Sequence, residues 1–174
     1  MDLSKLIDET LALLPVKADI KKDVEEFFVQ RLIIFLNTDY SKNVLEACSN
    51  NNPCQNLSDY VQRVKAVSEL NDEKLLENAN RVLRILKDNI SETVNEGLFA
   101  LDAEKDLYSS VKNISFTGDY KIYLNELIKI NPIVTKFFDD VLVMDKDENV
   151  KNNRLALLNI LKNKYTILTD FSKL

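Results

Sequence analysis

Glycine occurs only twice (Gly97, Gly118) and proline three times (Pro15, Pro53, Pro132) in 174 residues. Tight turns depend on these two residue types, glycine for positive φ and proline for a fixed one. Sandwiches, barrels and doubly wound sheets need many such turns. The scarcity excludes them and leaves long helices joined by polar connections. With 45% hydrophobic and 29% charged residues, a core is available to a chain of this length, as one compact domain or two small ones. The expected fold is all-α, a bundle of about eight helices.

Apolar spacing marks the helices one by one. Leu3, Leu6, Ile7, Leu11 and Leu14 share a face before Pro15. Lys17 to Leu36 reads as a longer helix with Ile20, Val24, Phe27, Phe28, Arg31, Leu32 and Phe35 along one stripe. Val44, Leu45 and Cys48 mark a short helix, and residues 49–56 (SNNNPCQN) a loop. Leu57, Tyr60, Val61, Val64 and Val67 mark the next. Asn71 or Asp72 then caps a strongly periodic stretch running to about Asp88. A loop or domain joint is expected between Asn89 and Ala100, dividing the chain into 1–90 and 91–174. Ala103–Ile114 and Tyr120–Ile130 read as helices flanking a loop at Gly118. Asn131-Pro132 reads as the start of a separate helix over Ile133–Val143. Asp145 and Glu148 stand at capping-box spacing before the last helix, which runs to about Leu168.

Several function classes are excluded. No apolar run approaches the roughly 18 residues of a membrane span, and the N-terminus MDLSKLIDETLALLP has acids where a secretion signal has bases. Cys48 and Cys54 are the only cysteines, read as two ordinary thiols in a reducing cytoplasm. With no histidine, the commonest general base and metal ligand is missing, and no metal site is expected. No glycine-rich phosphate loop or nucleophile elbow occurs. Asp139, Asp140, Asp145, Asp147 and Glu148 lack the alternation and central glycine of an EF-hand loop, so they read as a solvated helix junction. No catalytic residue is expected.

What the sequence offers instead is cationic helix faces on a chain of net charge −5. On the 72–88 helix, Arg81, Arg84 and Lys87 lie opposite the apolar side. They fit phosphate contacts, or, with Glu77 paired to Arg81 at i,i+4, a plain solvated face. The polar meridian of the last helix collects Lys151, Asn152, Asn159, Lys162, Asn163 and Thr166, a mixture suited to backbone and unpaired bases or again an ordinary exposed face. Tyr165 offers a stacking ring but falls among core leucines. Arg154 stands about 40° from Val150 round the helix, inside the apolar stripe. It must snorkel or meet a carboxylate, Glu104 first and Asp139 or Asp140 next; the alternative is projection toward RNA.

The closing run FFDDVLVMDKDENVKNNRLALLNILKNKYTILTDFSKL (137–174) resembles the end of bacterial glycyl-tRNA synthetase β subunits. The shared pattern is Phe137-Phe138-Asp139, Val141, Val143-Met144, Asn153-Arg154-Leu155, Leu157-Leu158, and Asp170 with Ser172 and Leu174. DVEEFFVQRL (23–32), Arg63-Val64, ANRVLRILK (79–87) and Ala103-Glu104 with Leu107 resemble the same family in the same order. The chain departs from it at Lys151, where the pattern has arginine, and at Asn80, where it has lysine. The resemblance implies a DALR-like anticodon-binding domain in residues 91–174 and a segment of helical body in 1–90. It implies glycine tRNA as partner, and a synthetase α subunit that performs the ATP- and magnesium-dependent glycine–tRNA ligation, with no cofactor in this segment. The start at Met1 and the length imply a piece of a longer chain. The rival expectation is a helical protein–protein module that does not bind RNA.

Overall fold

The computed structural model describes residues 2–14, 20–86, 91 and 93–174. Among these are eight α-helices and no strand. Pro15, Lys87 and the expected joint around Asn89 lie outside them.

Two compact units divide between Glu69 and Leu70, with the last two residues counted in the first. The first unit holds α1 (Leu3–Leu13), α2 (Lys21–Leu36), α3 (Lys42–Ala47) and α4 (Leu57–Ser68). Asp2, Ser41 and Asn56 cap α1, α3 and α4 by accepting a backbone N–H three residues on. Leu45, Tyr60, Val64 and both cysteines are fully buried, and the Tyr60 hydroxyl donates to Leu45 O at 3.0 Å. α2 buries none of its residues. Its apolar stripe is largely open, with Val24, Phe27 and Phe35 at 36%, 57% and 75% exposure. Its contacts inward run instead through Glu25, whose carboxylate accepts from Ser4 and Asn52.

The second unit holds α5 (Glu73–Ile85), α6 (Asp102–Asn113), α7 (Tyr120–Asp140) and α8 (Glu148–Leu168). α5 belongs here rather than with the residues before it, because Leu75, Ala79 and Val82 are wholly buried and α5 packs on α7 and α8. A single helix, α7, replaces the two expected around Asn131-Pro132. Proline inside a helix removes one hydrogen bond and costs about 3 kcal/mol. Here a continuous buried stripe offsets that cost: Leu124, Leu127, Ile130, Asn131, Val134 and Phe137. Asn78 on α5 adds to it, donating to Asn131 Oδ1 and Thr135 Oγ1 at 2.8 Å each. α7 ends at Asp140, not Val143. Val141 turns extended, and Val143 is buried while Leu142 and Met144 point outward, the alternation of a strand-like segment. α8 is capped by Asp147, not Asp145: the Asp147 carboxylate accepts from Asn149 N and Val150 N. Gly118, with φ +98°, makes the turn between α6 and α7 that a side chain would strain.

Candidate nucleic-acid interface

Asp72 caps α5 by accepting from Leu75 N at 2.8 Å, and Glu73 and Arg84 stand at the ends that suit the helix dipole. With the apolar side of α5 buried, Lys74, Glu77, Arg81 and Arg84 are exposed. Glu77 takes Lys74 at 2.8 Å as its partner rather than Arg81. The Lys74 hydrogen bond holds the Glu77 carboxyl below its ordinary value, with smaller help from the charges of Arg81 and Arg84. Arg81 is thereby left for Phe138, and its guanidinium carbon lies 4.2 Å from the ring centroid, a cation–π contact across α5 and α7. Nothing in the spacing of the sequence brings Arg81 to Phe138. Phe137 and Phe138 are both buried, at 0% and 6% exposure.

The last helix differs from its expected exposed face. On α8 only Glu148, Asn149 and Asn152 are exposed, while Lys151, Asn159, Lys162, Asn163 and Thr166 are half-buried. Lys151 sits 2.6 Å from the Glu148 carboxylate. Tyr165 is in the core, 1% exposed and against Phe171, with burial pushing its phenol well above the ordinary value. Asn153, which spacing alone did not single out, forms a clasp. Its side chain accepts from Asn95 N at 2.7 Å and donates to Asn95 O at 3.1 Å, tying residues before α6 to α8.

The structure brings Arg154 and Glu104 together, at 5% and 0% exposure, with Nε 2.9 Å from Oε1. The other Glu104 oxygen accepts from Ala100 N and Leu101 N at 2.8 Å each, so the carboxylate also closes the start of α6. The second acid on Arg154 is Asp145 at 2.7 Å, in place of Asp139 or Asp140. Asp145 is available because Asp147 has taken the capping role. Arg154 also donates to Leu142 O at 3.0 Å. Burial works against the Arg154 charge, yet Glu104 and then Asp145 outweigh it and leave the guanidinium pKa raised. With its donors so engaged, the guanidinium faces inward and fixes residues 142–145 against α8. No group of three or more candidate metal ligands occurs among the described residues.

A groove of about 430 Å³ opens beside Arg81, between the last turn of α5 and residues 138–144. Arg81 stacked on an aromatic ring at a groove, with Arg84 exposed one turn on, is an arrangement suited to nucleic acid. Residues 61–169 match the DALR anticodon binding domain, a span covering most of the chain. The chain belongs to the DALR anticodon-binding domain family. Over its whole length it is 32% identical to a glycine–tRNA ligase β subunit of Trichlorobacter lovleyi and 30% identical to one of Neisseria gonorrhoeae. Over 95% of its length it is 31% identical to one of Thermodesulfovibrio yellowstonii. It spans 28%, 28% and 26% of those three proteins respectively. The DALR match starts within α4 and takes in α5 to α8, so it includes the Arg81–Phe138 stack and the Arg154 cluster.

Proposed function

We propose that this chain is the anticodon-recognition segment of a glycine–tRNA ligase β subunit, serving an α subunit that attaches glycine to its tRNA with ATP and magnesium. The observation that carries this is the match to an anticodon-binding family over a region whose exposed face holds Arg81 and Arg84. The β-subunit relatives supply the amino acid and the partner subunit. The segment itself performs no chemistry, in keeping with a sequence that has no histidine and no phosphate loop. A cytoplasmic setting suits its task and its two reduced thiols. No helix among the described residues is long and apolar enough to cross a membrane.

The tRNA-contacting set is proposed as Arg81 and Arg84 on α5, Lys87 just beyond it, and Lys151, Asn159, Lys162 and Asn163 on α8. Arg154 and Glu104 hold the fold. Filter binding of transcribed glycine tRNA at two salt concentrations tests the reading. Binding should weaken steeply with salt, and Lys151→Glu with Lys162→Glu should lower the log–log slope by about one unit for each phosphate no longer gripped. Absence of binding to glycine tRNA at low salt would favour a protein–protein module, the reading to which the uncovered apolar face of α2 lends support.

A further inference from the structure

We propose that the groove between α5 and residues 138–144 is a subsite for one unpaired cytosine of the anticodon, stacked on Arg81 and read at its amino group by Asp139 or Asp140. Phe138 is 6% exposed and has the Arg81 guanidinium over its ring. Arg81 itself is exposed and lines the groove, which puts a guanidinium within reach of a ligand seated there. Leu142 and Met144, at 71% and 54% exposure, give the groove an apolar flank with no other evident purpose. Asp139 and Asp140 also line it, both exposed and engaged by no hydrogen bond or ion pair among the described residues.

These groups select their ligand by chemistry. A phosphate is repelled by two free carboxylates, and a metal cation by the arginine. A neutral, planar group that offers N–H donors satisfies both. Unpaired bases stack on guanidinium planes, and a carboxylate accepts from the amino group of cytosine. Glycine codons begin with two guanines, so every glycine anticodon carries two adjacent cytosines. Uracil presents a carbonyl oxygen where cytosine has its amino group, and the carboxylate repels it. Another groove on this unit has the opposite character, with Lys105 held by Asp102 at 3.0 Å and Lys112 lying 4.7 Å over the Tyr108 ring. Its cations are already engaged.

The inference rests on the anticodon-binding reading above, and one set of titrations separates the two. Glycine tRNA transcripts with the native anticodon, and with uracil replacing each cytosine in turn, are titrated against the chain, Asp139→Asn/Asp140→Asn and Arg81→Lys. Circular dichroism melts verify that both variants fold. The unaltered chain should prefer cytosine to uracil about tenfold at the position read here, and the double variant should bring that ratio close to one. Arg81→Lys keeps the charge but loses the plane. It should weaken the native transcript about tenfold with the salt slope unchanged. An unaltered cytosine preference in the double variant, or wild-type affinity in Arg81→Lys, overturns the subsite while leaving anticodon binding intact. Failure of the unaltered chain to bind the native transcript at low salt overturns both.

Discussion

Arg154 shows how one side chain can serve the fold and the groove together. Its bonds to Glu104, Asp145 and Leu142 O join the start of α6, the α7–α8 connection and α8 at one buried point. Removing one partner of a buried ion pair typically costs about 3–5 kcal/mol. Arg154→Ala should therefore lower the melting temperature by about 10 °C in a chain of this size, read by circular dichroism. The same change frees Leu142 to Asp145, the segment flanking Arg81, so tRNA affinity should fall with the loosened fold. A stable Arg154→Ala chain that no longer binds tRNA would instead make Arg154 a direct contact. Asp145 adds a pH signature. The Asp147 N–H first, and then Arg154, hold its carboxyl below the ordinary value of 3.8. A depressed folded-state pKa stabilises above the unfolded value and loses that effect as pH falls through the folded one. The melting difference between the unaltered chain and Asp145→Asn should stay level from pH 7 to about 5 and close below about pH 4. Much of this cluster was legible in the sequence, since an arginine inside an apolar stripe needs an acid and Glu104 had the matching place on its own helix. The choice of Asp145 was not, because it depends on which aspartate caps α8.

At the scale of the elements, periodicity located each helix but misjudged what surrounds some of them. α7 is the clearest instance. Local chemistry at Asn131-Pro132 argues for a helix start, and only burial of the residues on both sides keeps the helix continuous. Pro132 is itself exposed, so its ring fills no part of the core. Pro132→Ala restores an N–H opposite the Ile128 carbonyl and removes the penalty of a proline inside a helix. The melting temperature should rise by several degrees. A fall would mean that the helix geometry imposed by Pro132 is needed for α7 to reach both α5 and α8. The same limit of local reading applies to α2 and α8. A period of 3.6 told that α2 has an apolar stripe and α8 a polar one, but exposure depends on neighbours that no single helix encodes. The α2 stripe is open, and the polar meridian of α8 is half covered.

On the scale of the whole molecule, the all-α class followed from the scarcity of glycine and proline, whereas the division into units did not. The break in clear helical periodicity from Asn89 to Ala100 pointed to a joint there, with the boundary at residue 90. The compact units part at Glu69 and Leu70 instead, because burial rather than local sequence decides which residues pack together. α5 carries the difference. Its Leu75, Ala79 and Val82 are fully buried, and Asn78 supplies the donors that satisfy Asn131 and Thr135. A fragment of residues 91–174 lacks all of these. It would expose the α5-facing surface of α7 and leave the buried Asn131 oxygen without its donor, at a cost of about 1–3 kcal/mol beyond that of the exposed apolar surface. Phe138 would also lose Arg81. A fragment of residues 70–174 retains the entire set. We therefore expect the 70–174 fragment to unfold in a single cooperative transition and to keep salt-dependent binding of glycine tRNA, though with lower affinity than the whole chain. The 91–174 fragment should be helical but without a cooperative melt, and should bind a dye for exposed apolar surface. Differential scanning calorimetry of both fragments distinguishes the boundaries. A cooperative 91–174 transition would place α5 outside the folding unit and would detach the Arg81 stack from the stability of α6 to α8.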